Sequence, residues 1–158
     1  MQERIKYRAE RAREYFKEGY NCAQAVVLAF SDLLEVDSDA LALIASPFGG
    51  GMGRMRLVCG AVSGMLMVEG KLCGYSSPEK KAGKLELYSN VRSLADSFAA
   101  ENGSIICGEL LSGVPHTSGG VPEERTPEYY KKRPCDELVA SAAATVARHL
   151  IEQGVGGV

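Results

Sequence analysis

Leu57-Val-Cys-Gly-Ala-Val-Ser-Gly-Met-Leu-Met-Val68 is apolar or small at every position. A stretch this short cannot cross a bilayer, which takes about 20 residues, so it predicts a helix buried on all sides. Gly60 and Gly64 stand one turn apart on it, where the missing side chains let a second backbone come close at a cost in helix propensity. This is the expected centre of the fold.

Outward from that centre the chain reads as helices. Ile5, Ala9, Ala12 and Phe16 recur at helical spacing with Arg and Glu on the other face, and Gly19 closes the segment. Asn21 offers an N-cap to a helix carrying Cys22, Val26, Ala29 and Leu33. Asp37 or Ser38 caps a short helix that must stop before Pro47. Ser77-Pro78-Glu79 reads as the start of a long helix with Leu85, Tyr88, Val91, Leu94, Ala95 and Phe98 on its apolar face, ended by Asn102-Gly103. A short helix follows over Cys107–Leu111, Thr126-Pro127-Glu128 opens another turn, and Pro134 restarts the chain into a last helix with Cys135, Leu138, Val139, Ala142, Val146 and Leu150 on one face. Strand signals are weak. The expectation is an all-α fold: one domain over residues 1–158, a bundle of five or six helices around the central one, with a long loop at about 112–126 rich in Gly and Pro.

Charge and composition narrow the function. Eighteen basic and 20 acidic residues give a net charge of -2, which argues against a nucleic-acid binder held by bulk positive charge. The segment Met1 to Phe16 is charged throughout and does not read as a secretory signal, and no run is long enough to insert in a membrane. A cytoplasmic protein is expected. Its five cysteines are then the informative feature, an odd number with no Cys-x-x-Cys among them.

Cys22, Cys59, Cys107 and Cys135 each fall in the first turn of an expected helix. Free N–H groups and the helix dipole favour a thiolate there, whereas apolar burial opposes one. Apolar neighbours share the face of each, so the four sulfurs can meet at one end of a bundle. Cys73 reads as a turn residue past the central helix and a bystander.

Gly19-Tyr-Asn-Cys-Ala-Gln-Ala-Val, Phe48-Gly-Gly-Gly-Met-Gly, Cys59-Gly-Ala-Val-Ser-Gly, Ile106-Cys-Gly-Glu-Leu-Leu and Pro134-Cys-Asp follow one another in order. Together they resemble the C_GCAxxG_C_C family of redox-active proteins, from about Phe16 to Leu150. Carried over by position, the family's four cysteines are Cys22, Cys59, Cys107 and Cys135. The resemblance brings no substrate and no cofactor.

The remaining motifs read as structural. Gly49-x-Gly51-x-Gly53 lacks the ending of a phosphate-binding loop and follows no strand, so a tight connection is expected. Arg54 and Arg56 beside it offer to steer an anionic thiol substrate. His116 reads as an exposed loop residue, His149 as complementing a helix C-terminus, Glu123-Glu124 as solvated, and Glu69 as facing solvent or a partner subunit.

Three function classes follow. The first is a thiol oxidoreductase working with a redox partner protein or a small thiol. One thiolate, Cys59 foremost and Cys135 next, attacks an electrophilic sulfur or peroxide, and a second cysteine resolves the product. Cys107–Cys135, flanking the loop, ranks first as the disulfide. The second is a four-cysteine zinc or iron–sulfur site, and the third a non-catalytic helical interaction module. An all-apolar central helix in a small bundle also suggests a homodimer.

Overall fold

The computed structural model describes all 158 residues and is all-α. Its elements are α1 (Gln2–Lys17), α2 (Cys22–Leu28), α3 (Ser31–Leu34), α4 (Ser38–Ala45), a 3-10 turn (Ser46–Phe48), α5 (Gly49–Met52), α6 (Gly60–Cys73), α7 (Lys81–Asn102), α8 (Cys107–Leu110), α9 (Pro127–Lys132) and α10 (Cys135–Glu152). Six of these are long helices, and the rest are single turns that carry the chain between them. No helix is long and apolar enough to cross a membrane.

The expected caps are in place. Gly19 takes φ +110° just past α1, the conformation that ends a helix most readily at glycine. The Asn21 side chain accepts from the Gln24 amide while the Gln24 side chain accepts from the Asn21 amide, a complete capping box. The Asp37 carboxylate accepts from the Ala40 amide, and the Thr126 hydroxyl accepts from the Tyr129 amide. Gly103 ends α7 with φ +99°.

The central helix α6 lies against α2, α7 and α10. Ala61, Val62, Met65 and Val68 are buried, so the apolar stretch is covered within one chain. Gly60 and Gly64 make the contact with α2 that their spacing predicts. A Cβ on Gly64 would lie 2.7 Å from the Ala23 carbonyl oxygen and 3.0 Å from the Val26 Cβ. A long pairing of α1 with α10 closes the other side, with Ile5, Ala12 and Phe16 buried against the apolar face of α10.

Several expectations change. The central helix begins at Gly60 and runs on to Cys73, because Leu57 to Cys59 pairs its backbone with Ile105 to Cys107 instead of coiling. Leu57 is accordingly half exposed and Cys73 is the last helical residue, not a turn residue. The segment Ser77–Lys80 forms a turn, in which the Lys80 amide donates to the Ser77 carbonyl, and α7 starts only at Lys81. Of the apolar face expected on α7, Leu94 and Phe98 are buried, whereas Leu85 and Tyr88 are exposed, since the first half of α7 extends beyond its neighbours. Arg8 takes the buried place expected of Ala9. Its guanidinium donates to the carbonyls of Ala29 and Gly157 and pairs with Asp32, tying α1 to the C-terminal tail. Glu69 is fully buried, accepting from the Asn90 amide side chain and facing the His149 ring, so it reaches neither solvent nor a second chain.

Two glycines of α6 test the packing. Gly64→Ala would push a methyl into the α2 backbone, with an expected loss of about 1–3 kcal/mol despite its better helix propensity. Gly70 has nothing within 4 Å of an added Cβ, so Gly70→Ala gains about 0.5–1 kcal/mol. Urea unfolding of the two variants should move in opposite directions; equal shifts would refute the close approach of α2 and α6.

Candidate functional site

The chain brings four helix starts to one place. Cys22 is the first residue of α2, Cys107 of α8 and Cys135 of α10, and Cys59 is the residue preceding α6. All four line a single cavity of about 60 Å³. Cys73 lies elsewhere, and burial together with Glu69 and Glu86 pushes its thiol up to about 11.

Backbone pairing sets two of the sulfurs. The Cys59 amide donates to the Ile105 carbonyl at 2.8 Å and the Cys107 amide to the Leu57 carbonyl at 2.6 Å, around the antiparallel bridge Val58–Ile106. Residues two apart in such a pairing face the same side, so Cys59 and Cys107 turn together toward the cavity. Cys22 enters through α2, held against α6 by glycine. A Cβ at Gly60 would meet the Cys22 Cβ at 3.1 Å and the Phe48 carbonyl at 2.8 Å.

The glycine loop forms another wall. Gly50, Gly51 and Gly53 adopt positive φ, as do Met52, Arg54 and Arg56. For the non-glycine residues that left-handed backbone costs about 1–2 kcal/mol each. A Cβ at Gly51 would stand 2.7 Å from the Cys107 Cβ, so only glycine lets the loop approach that thiol.

The arginines are engaged rather than free. Arg54 donates to the carbonyls of Thr117, Gly119 and Val121, and Arg56 to that of Thr117, so both hold the 112–126 loop across the mouth of the site. Arg56 also donates to the Cys107 sulfur at 3.6 Å. Arg125 donates to the carbonyls of Phe16 and Tyr20. Glu123 is not a solvated carboxylate. It pairs with buried Arg133, accepts from the Thr117 amide and faces Arg54 and Arg56; Arg133 and Thr117 outweigh the burial that would raise its pKa, leaving it below the ordinary value. His116 is exposed and hydrogen bonds the Val114 carbonyl of its own loop, away from the sulfurs. Sequence patterning pointed to neither Arg125 nor Arg133, because nothing in their spacing marks them; only their place in front of α9 and α10 brings them to the cavity.

Four thiols at four helix starts do not behave alike. Burial pushes Cys59 up to about 12, against the pull of the Ala61 and Val62 amides. Burial also raises Cys107, although Arg56 opposes it. Cys135 is lowered. The Cys22 thiol donates to its sulfur, and Arg133, Arg125 and Arg56 add positive potential that offsets its burial. Cys22, as the donor, is raised correspondingly. Of the four, Cys135 is therefore the thiol whose environment favours the charged form, beside a Cys22 whose environment opposes it. Cys59, first among the expected nucleophiles, is held by burial in its neutral form rather than poised to attack.

No group of three or more His, Cys, Asp or Glu side chains is arranged to hold a metal ion, so the four sulfurs share a cavity without forming a ligand set. Residues 20–149 match the family described as "Putative redox-active protein (C_GCAxxG_C_C)", and the chain belongs to that family. No curated protein and no solved structure matches the chain.

The ionisation of Cys135 can be read from thiolate ultraviolet absorbance as pH is raised. In Cys22→Ala the lost hydrogen bond to a charged sulfur should raise the midpoint by about 1–2 pH units. Arg133→Met should shift it in the same direction. A midpoint unmoved in Cys22→Ala would show that Cys22 does not stabilise the Cys135 thiolate.

Proposed function

Taking membership of that family as the premise, we propose that the protein is a thiol–disulfide oxidoreductase in which Cys135 attacks and Cys22 resolves. The single observation that carries this is that Cys22 and Cys135 share one cavity with Arg56, Arg125 and Arg133, where the Cys22 thiol and the three guanidinium groups lower the Cys135 pKa. A thiolate next to a protonated thiol is the starting arrangement for thiol–disulfide chemistry.

The Cys135 thiolate attacks an electrophilic sulfur or a peroxide oxygen, displaces the leaving group bound to it and becomes covalently modified. The Cys22 sulfur then attacks Cys135, giving up its proton to the departing group as the Cys22–Cys135 bond forms. A small thiol or a redox partner protein restores the pair by two exchanges, in which its own sulfurs take up the disulfide. Cys59 and Cys107 complete the wall as neutral thiols. The sequence ranks Cys107–Cys135 first as the bridge, but the direct thiol-to-thiolate contact favours Cys22–Cys135. A bridge needs Cα atoms within about 7 Å, a demand that fits residues already in side-chain contact.

Brief treatment with one equivalent of diamide, followed by alkylation and peptide mapping, tests the pairing. One internal disulfide joining the Cys22 and Cys135 peptides is expected, with Cys59, Cys73 and Cys107 recovered alkylated. In Cys22→Ser the modified Cys135 should persist unresolved. Recovery of a Cys107–Cys135 bond would reassign the resolving cysteine, and recovery of five free thiols would remove the oxidoreductase reading.

A further inference from the structure

Resting on that reading, we propose that the electrophile this site accepts is a small hydroperoxide, hydrogen peroxide above all, rather than the disulfide of a peptide or protein. The cavity in front of the sulfurs measures about 60 Å³. A cavity of about 150 Å³ holds the six carbons of benzene, so in proportion this one has space for two or three non-hydrogen atoms. Attack on a disulfide places the leaving sulfur and its carbon in line behind the sulfur under attack, with a second carbon to one side. That is four heavy atoms before any backbone is counted. Hydrogen peroxide has two.

The walls agree with the size. Cys135 and Cys107 are each only 8% exposed and Cys59 3%, so a large electrophile has no surface at which to meet the attacking Cys135, whereas the half-buried Cys22 stays open to the thiol that restores the pair. Leu110, Leu111 and Leu138 close the apolar side, and no carboxylate lines the cavity. Arg56, Arg125 and Arg133 stand on the other side, where they stabilise the hydroxide that leaves when an O–O bond breaks. Entry is through a polar outer cavity of about 280 Å³ beneath the loop, which shares Arg56, Arg125 and Tyr129 with the inner one and admits a hydrated solute.

The chemistry balances without a further co-reactant. The Cys135 thiolate attacks one peroxide oxygen, the O–O bond breaks, and the hydroxide released takes a proton from solvent to become water. Cys135 is then a sulfenic acid. The Cys22 sulfur attacks it, the S–O bond breaks, and the hydroxyl leaves as water with the Cys22 proton. Two sulfurs are oxidised to one disulfide while one peroxide is reduced to two waters.

The test is the rate of Cys22–Cys135 bond formation, followed by quenched alkylation and mapping, with hydrogen peroxide, tert-butyl hydroperoxide and glutathione disulfide. Hydrogen peroxide is expected to be at least about tenfold faster than either, the discrimination that a few methyl groups produce in a closed pocket. In Leu110→Ala the ratio of the hydrogen peroxide rate to the tert-butyl hydroperoxide rate should narrow by about tenfold as the wall recedes. Glutathione disulfide or tert-butyl hydroperoxide matching hydrogen peroxide, or a ratio unmoved in Leu110→Ala, would overturn the assignment while the cysteine pair stands. If no Cys22–Cys135 bond forms with any of these oxidants or with diamide, the pair itself is refuted and the peroxide assignment falls with it.

Discussion

Four helix starts can share a cavity only if the backbones behind them come closer than ordinary side chains permit, and the rest of the site depends on that approach. Gly60 and Gly64 let α2 settle onto α6, and Gly51 lets the loop settle onto Cys107. At each position the nearest obstacle to a methyl includes backbone or a short Cβ, which cannot swing aside as the end of a long side chain can. The helix propensity lost at two glycines of α6 is about 1 kcal/mol each, and the contact with Ala23 and Val26 is what offsets it. Packing and chemistry thus rest on the same residues, since the glycine that admits α2 also brings Cys22 to the cavity.

Position at a helix start does not by itself make a thiol reactive. The dipole effect is of order 0.3–1 kcal/mol at an exposed site, whereas one pKa unit corresponds to 1.36 kcal/mol. Burial of a thiolate easily exceeds that, and Cys59 shows the result: two amides face it and its pKa still rises to about 12. Cys135 differs in having a hydrogen-bond donor at its sulfur and guanidinium groups around it. The dipole argument therefore picks out the four cysteines that line the cavity and cannot rank them.

Much of the fold was legible because it rests on local rules. Asn21, Asp37, Gly19 and Gly103 mark helix ends by chemistry confined to a few neighbouring residues, and Pro134 restarts the last helix for the same reason. The apolar face of α10 followed from its period. What was not legible was decided at long range. Nothing near Leu57 says that its backbone will pair with Ile105–Cys107, so the central helix was expected three residues too early. Glu69 reads as an acid in an apolar helix until Asn90 and His149, from two other helices, supply its partners. The four site cysteines could be chosen from sequence since each follows a helix-start signal. Which of them adjoin could not be read, because Cys22 and Cys135 are 113 positions apart and come to one cavity only through the packing of α2 against α10.

Charge contributes to the lowered pKa of Cys135. Arg54, Arg56, Arg125 and Arg133 converge on this end of the molecule with Glu123 as the carboxylate that faces three of them. Four positive groups held this closely repel one another by several kcal/mol if the effective dielectric constant is near 20. The loop relieves part of this by turning the carbonyls of Thr117, Gly119 and Val121 onto Arg54 and Arg56. Carbonyl dipoles soften the repulsion but leave the net charge uncancelled. A negative sulfur at Cys135 cancels one unit of it, at the point where Arg56, Arg125 and Arg133 all contribute. The loop is therefore part of the site's electrostatics. By holding guanidinium groups in place over the cavity, it maintains the positive potential that lowers the Cys135 pKa.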